Sequence, residues 1–240
     1  MKGLTFDEES HTYTYNGEVL TSVTTFLSEF FQPFDAKTIS KYKAMSCKAK
    51  GLPGKTPQYW LRRWKESAEH GSRVHKLIED HLNYKKSDLS LVKPEDEAKY
   101  EQAIYYLFDL PLNINPELPN KQIKVISEKI VIAPSLGLAG TVDLIIKTPD
   151  GIHLIDWKTN SKIDKTAYMG RKCKDPVSHL PDCSYSKYTL QLQLYAFILE
   201  QLYDEKVLSC TLVHLMESSY TPYEIPVYYE DVYSVLRNRL

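Results

Sequence analysis

The stretch from Gly140 to Lys158 constrains this chain more than any other. Leu144-Ile145-Ile146 and Ile152 to Ile155 are apolar, β-prone runs, with Thr148-Pro149-Asp150-Gly151 between them. Asp-Gly between two such runs is the strongest short-range mark of a β-hairpin. Side chains alternate along a strand, so Asp156 and Lys158 face one way and Trp157 the other. The hairpin then carries Asp143 on one strand beside Asp156 and Lys158 on its neighbour. Leu154-Ile155 runs straight into these charges, which therefore stand at the end of a buried strand. Opposite charges are costly there unless they are paired or hold a metal. Two carboxylates make an oxygen-rich pocket for a hard divalent cation, and an amine stands beside it. That is the chemistry of metal-assisted phosphodiester cleavage.

A length of 240 residues, 42% hydrophobic and 25% charged, allows one large domain with a sizeable core. No apolar run approaches the ~18 residues of a membrane helix. Met1 to Ser10 is polar and acidic, unlike a signal peptide. The expectation is a soluble protein of the cytoplasm with no membrane partner. Cys47, Cys173, Cys183 and Cys210 form no CxxC pair, which argues against zinc and for free thiols. Net charge is −1, yet Lys37 to Lys65 holds nine basic residues and no acid. Lys158 to Lys174 holds six more against Asp164 alone. Basic patches on a neutral chain are the footprint of a phosphate-backbone binder.

Along the chain, residues 4 to 20 alternate and turn at Asn16-Gly17, as a small hairpin does. Ser22 caps a helix over Val23 to Phe31, and the basic region follows, broken by a loop at Gly51 to Gly54. Trp60, Trp64, Ala68, Gly71, Ile78 and Leu82 recur at helical intervals, with His75 on the stripe and Glu79 one turn beyond. Glu95 to Leu110 reads as a helix, Pro111 to Asn120 as a loop, and Ile123 to Ile132 as a strand. Glu128 on that strand reads as a strand-edge or outer-shell charge. Residues 159 to 187 read as a loop or lid, and Tyr188 to Tyr203 as an amphipathic helix with Gln191 and Tyr195 on a common face. Val207 to Leu215 and Glu224 to Tyr229 read as closing strands, and Glu230 to Leu240 as a last helix.

Taken in order, Gly71-Ser72-Arg73-Val74-His75, Gly140-Thr141-Val142-Asp143, Asp156-Trp157-Lys158 and Gln191-Leu192-Gln193-Leu194-Tyr195 resemble the PD-(D/E)XK nuclease superfamily, and its RecB-type exonuclease branch in particular. Ser22-Val23-Thr24-Thr25, Trp60 and Arg62 to Lys65 extend the likeness to mitochondrial genome maintenance exonucleases and related phage exonucleases. The resemblance spans Ser22 to Phe197. It implies an α/β fold with a restriction-endonuclease-like core: a mixed central sheet flanked by helices, with an N-terminal helical region. One nuclease domain would fill residues 1–240, with 1–120 supplying the histidine motif and a basic wall and 121–240 the catalytic sheet. His75, Asp143, Asp156 and the main-chain carbonyl of Trp157 would bind Mg²⁺ or Mn²⁺. Lys158 would orient the attacking water or steady charge on the phosphate, with Gln191 and Tyr195 positioning it and Glu79 as second-metal ligand or outer partner. Ser22, Arg62, Arg63, Arg73 and Lys162 would contact nucleic acid. The activity implied is a DNA exonuclease acting on single strands or free ends in recombination, repair or replication, with a helicase or single-strand annealing protein as a candidate partner. A structure-specific endonuclease of DNA or RNA and a non-catalytic nucleic-acid-binding module stand as the alternatives, and oligomeric state is left open.

Overall fold

The computed structural model describes residues 3–7, 12–52, 54–114 and 122–239. Three short strands open the chain: β1 (Leu4–Asp7), β2 (Thr12–Tyr15) and β3 (Glu18–Ser22). Asn16 and Gly17 both take positive φ at the β2–β3 turn, as the Asn-Gly signal requires. Helices α1 (Val23–Ser28), α2 (Ala36–Ala49), α3 (Pro57–Leu82) and α4 (Pro94–Ile114) follow. Then come β4 (Lys124–Ala133), β5 (Leu138–Thr148), β6 (Gly151–Lys158), α5 (Ser184–Tyr203), β7 (Val207–Leu215), β8 (Tyr220–Ile225) and α6 (Glu230–Leu236).

The strands make one eight-stranded mixed sheet in the order β1-β2-β3-β5-β6-β7-β8, with β4 on β5. β5 and β6 pair antiparallel with Leu144 opposite Ile155 and Thr148 opposite Gly151, so the Asp-Gly hairpin forms as read. β4 pairs with β5 from Leu138 to Lys147, with Glu128 and Asp143 left out of the ladder. The other edge of β5 is shared: β3 takes Leu138 and Ala139 in parallel, and β6 takes Leu144 to Thr148. Residues 140–143 lie in the fork between them.

Each face of the sheet is covered. α1, α5 and α6 pack on one face, where Phe26, Leu27, Leu194, Ile198 and Val232 meet Leu138, Leu154 and Leu212. The C-terminal half of α3 and α4 cover the other, where Val74, Ile78, Ala103 and Tyr106 meet Leu144, Ile155, Trp157 and Val213. Strands buried on both faces read as continuous apolar runs, which is the pattern of β6 and β7.

Several elements differ from the sequence reading. α5 is not amphipathic: every residue from Leu190 to Leu199 is buried, because the helix lies between the sheet and both α1 and α6. The basic region folds into α2, capped by Asp35 on the Thr38 amide. α4 runs on through Pro111 to Ile114, where a loop from Pro111 to Asn120 is expected, and the rest of that stretch, 115–121, lies outside the described residues. β8 begins at Tyr220 and tolerates Pro222 because it is an edge strand. The last helix stops at Leu236, and α1 stops at Ser28. Among the described residues no helix is long and apolar enough to cross a membrane.

Candidate active site

The fork in the sheet is where the chemistry collects. Asp143, the last unpaired residue before β6 joins, turns its carboxylate onto the main chain of its neighbour and accepts the Trp157 N–H at 2.8 Å. α3 crosses above and lowers His75 into the same place. Its Nε2 lies 3.1 Å from the Trp157 carbonyl oxygen, and its Nδ1 lies 3.6 Å from Asp143 Oδ2. Asp156 and Lys158 stand on the α5 side of β6, with the Lys158 ammonium 2.5 Å from Asp156 Oδ2. The other carboxylate oxygen of Asp156 accepts from Gln191 Nε2 at 3.1 Å. Trp157 faces the opposite core, as strand alternation demands.

α5 lays three side chains over the fork from one helical stripe: Tyr188, Gln191 and Tyr195, spaced by three and four residues. Lys158 Nζ sits over the Tyr188 ring, 4.6 Å from its centre. Tyr195 presses on Gly140 so closely that a Cβ there would meet its hydroxyl at 2.6 Å. The glycine of the Gly140-to-Asp143 motif is thus needed for close approach rather than for a turn.

Glu128 belongs to this group, which corrects its reading as an outer charge. It lies opposite Asp143 in the β4–β5 register, adopts φ 46°, and is skipped by the ladder, which resumes unshifted at Lys129 and Val142. Its Oε1 lies 3.9 Å from His75 Nδ1. His75, Glu128 and Asp143 each bring a ligand-capable atom to within 4.8 Å of the others. The signal in the sequence was the polar Ser127-Glu128-Lys129 inside an otherwise apolar strand.

The electrostatics show an excess of negative charge. Burial, together with Asp143, Glu79 and Asp156, pushes the Glu128 carboxyl up to about 8. Burial also pushes Asp156 up, to about 6, with the Lys158 ammonium working against the shift. Burial disfavours charge on Lys158, but Asp156 and Asp143 outweigh it and hold its pKa above that of an ordinary lysine. Lys158 is therefore an ammonium, a donor rather than a base. Among the described residues, buried Asp156 Oδ2 receives no hydrogen bond of regular geometry and is met by that ammonium. An imidazole nitrogen, clustered carboxylates and a main-chain carbonyl are the donor set of a hard divalent ion, and such an ion would relieve their repulsion. The residues fit the metal.

A cleft of about 700 Å³ opens over the group, lined among others by Ser22, Ser72, His75, Glu79, Glu128 and Asp143. Ser22 caps α1 through the Thr25 amide at its rim. Glu79 reaches the cleft wall but is bound to Lys76 at 2.9 Å and Lys85 at 3.4 Å. Arg73 is not in this cleft. It forks onto Asp96, Nε to Oδ2 at 2.5 Å and Nη2 to Oδ1 at 3.1 Å, on the other flank of α3. Asp96 is fully buried and also receives His70 and the Lys93 amide. Arg63 shares that second cleft with Arg73. Arg62 is exposed beside Glu66, and Lys162 is exposed beside Asp164 at 2.6 Å.

A family model for the PD-(D/E)XK nuclease superfamily matches residues 49–234, the span that holds His75, Asp143, Asp156 and Lys158. The chain belongs to the PD-(D/E)XK nuclease superfamily. Membership implies metal-dependent cleavage of nucleic acid, and the eight-stranded mixed sheet flanked by helices is consistent with its restriction-endonuclease-like core. No curated protein matches the chain. Among solved structures, one titled "Crystal structure of SSO0001" aligns at 18% identity over 72% of this chain and 84% of its own, with a TM-score of 0.28, too slight a likeness to bear on function.

Proposed function

We propose that this PD-(D/E)XK nuclease is a divalent-metal-dependent deoxyribonuclease that hydrolyses phosphodiester bonds from a free end and favours single-stranded DNA. The observation that carries the reading is the convergence of His75, Asp143 and the Trp157 carbonyl, with Lys158 held beside them by Asp156. The order of the four motifs along the chain supports an exonuclease of the RecB type. His75, Asp143, Asp156 and the Trp157 carbonyl would hold Mg²⁺ or Mn²⁺, and Glu128 adds a carboxylate to that set. The bound ion supplies Lewis-acid stabilisation of the phosphate and a more acidic water.

The chain's own residues account for the rest. Lys158, fixed between Asp156 and the Tyr188 ring, donates to the attacking water or to a phosphate oxygen as negative charge grows there. Gln191 keeps Asp156 turned toward Lys158. Tyr195 and Gly140 set the width of the fork. Ser22, Arg62, Arg63 and Lys162 are proposed as contacts to the sugar-phosphate chain, which would position it without reading its sequence, while Arg73 is engaged by Asp96. A role in recombination, repair or replication, fed by a helicase or annealing protein, follows from this reading.

The test is to incubate the protein with end-labelled linear DNA and covalently closed circles, each with Mg²⁺ or Mn²⁺. Loss of linear strands with circles left intact is expected. Cutting of circles at a similar rate would overturn the exonuclease reading in favour of an endonuclease.

A further inference from the structure

α3 does two jobs. Its C-terminal half is packed in the core and carries His75, but no residue from Pro57 to Arg73 is buried. α2 buries Ser40 alone. Among the described residues, neither α2 nor this half of α3 contributes to a hydrophobic cluster, so the two form an arm standing off the body. The Trp60 and Trp64 stripe, which the sequence offers as a core face, is not one.

A row of rings joins the arm instead. Phe34 meets Trp64 edge-on at 5.0 Å, Trp64 lies 6.4 Å from Trp60, and Trp60 lies 5.3 Å from Tyr59. Two cations sit on this row: Lys43 is 4.6 Å from the centre of Trp60, and Lys55 is 4.0 Å from that of Tyr59. Phe34 is 63% exposed, and nearby Tyr42 is 68% exposed. The same segment, Lys37 to Lys65, carries nine bases and no acid. Tyr59, Trp60 and Trp64 are half-buried, with part of each ring left open. A purely polyanion-binding surface would not need rings, and a protein-docking face would not be this one-sided in charge. Arg62 and Lys65 pair with Glu66 and Glu69. Rings interleaved with the remaining positive charge suit a ligand with both flat faces and phosphates.

We infer that the α2–α3 arm is a stacking platform for unpaired nucleotides, built on Phe34, Tyr59, Trp60 and Trp64 with Lys43 and Lys55, which holds the single strand away from the cleft where it is cut. The inference rests on the nuclease reading above and adds the place where the strand's bases are held. α3 is continuous, so Trp64 stands roughly 16 Å from His75 along the helix axis at 1.5 Å per residue. That is about five 3.4 Å base spacings. A strand that keeps this stacked spacing needs about six nucleotides to occupy the cleft and the platform together.

The experiment measures binding of labelled oligothymidylates of 4 and 12 nucleotides, and of a 12-base-pair duplex, to the full chain in EDTA. It compares wild type, Trp64→Ala and Trp64→Phe, with circular dichroism as a check on helix content. Trp64→Ala is expected to weaken the 12-mer by about tenfold, the size of one base–ring stack. The 4-mer and the duplex, which leave the platform unfilled or hide their base faces, are expected to change less than twofold. Trp64→Phe is expected to recover most of the loss, and Lys43→Gln to weaken the 12-mer more than the 4-mer without disturbing the rings. Equal 12-mer affinity in wild type and Trp64→Ala would overturn the inference, as would an equal loss for the 4-mer and the duplex. Cleavage of the 12-mer by wild type, run in parallel with a divalent metal, separates the two readings. If wild type cuts and the arm variants bind normally, the platform alone is wrong. If wild type neither binds nor cuts, the nuclease reading fails with it.

Discussion

Replacing Glu128 by glutamine isolates the charge crowding at the fork. A carboxyl that titrates at about 8 in the folded protein and at its ordinary 4.5 when unfolded binds its proton more tightly in the native state. Its contribution to stability is therefore full below about pH 4.5 and is lost as pH rises through 8. The difference of 3.5 units corresponds to about 5 kcal/mol at 1.36 kcal/mol per unit. A third of the Glu128 side chain is in solvent, and screening there reduces the figure to roughly 2–3 kcal/mol. Glutamine has the same shape and meets the same left-handed backbone, so the comparison leaves strain unchanged. In EDTA at pH 9, Glu128→Gln should melt roughly 5–10 °C above wild type, at about 2–4 °C per kcal/mol for this chain length. At pH 5 the two should melt within a degree or two of each other. Saturating Mn²⁺ should raise the wild type and raise the variant less, since the ion loses a ligand. Thermal melts at the two pH values, with and without metal, decide the matter. A variant no more stable than wild type at pH 9 in EDTA would refute the argument that uncompensated carboxylates strain this site.

Other expectations can be checked directly. Lys158→Ala should lower kcat on linear DNA by 10²-fold or more, on the order of one lost transition-state donor, and Asp156→Ala, which removes the carboxylate that holds Lys158, should lower it at least as far, and full activity in either would remove that residue from the mechanism. Gly140→Ala should lower both activity and Tm, because the new Cβ meets the Tyr195 ring and hydroxyl at 2.6–3.1 Å, and Tyr195→Leu in the same chain should restore part of the Tm. Asp96→Asn should cost about 3–5 kcal/mol at pH 7 by leaving Arg73 and His70 without their buried partner. Burial alone would raise the pKa of Asp96, but Arg73, the Lys93 amide and His70 hold it below the ordinary value, so the wild-type advantage should shrink as pH falls through the carboxylate range.

The sheet around the site was legible because its signals are local. Asp150-Gly151 fixes the turn, the flanking runs fix the register, and period-two alternation alone separates Trp157 from Asp156 and Lys158. Motif order gathered His75, Asp156, Trp157 and Gln191 into one site, and the structure sets His75 Nε2 3.1 Å from the Trp157 carbonyl and Gln191 Nε2 3.1 Å from Asp156. What escaped depends on distant pairing. Glu128 joins the cluster only because β4 lies against β5 and its backbone turns left-handed opposite Asp143. Arg73 leaves the cleft because a buried acid on α4, 23 positions away, claims it. The aromatic stripe of α3 has the periodicity of a core face, and although Trp60 and Trp64 also suit stacking on unpaired bases, periodicity alone cannot tell a fully buried stripe from a half-covered one. α5 failed in the reverse sense, since helices on both sides bury it nearly all round.

The shared edge of β5 also bears on how the enzyme would wear. Among the described residues the strand ladder joins the leading three strands to β5 through two residue pairs, Thr21 with Leu138 and Ser22 with Ala139, beside a Tyr13–Thr141 hydrogen bond and the packing of Tyr13 and Leu20 on Ile132 and Ala139. Warming that loosened this short seam would change the spacing around Asp143 while the main body stayed intact. Hydrolysis would then fade several degrees before the far-ultraviolet signal collapsed, and a crosslink across the seam would bring the two temperatures together.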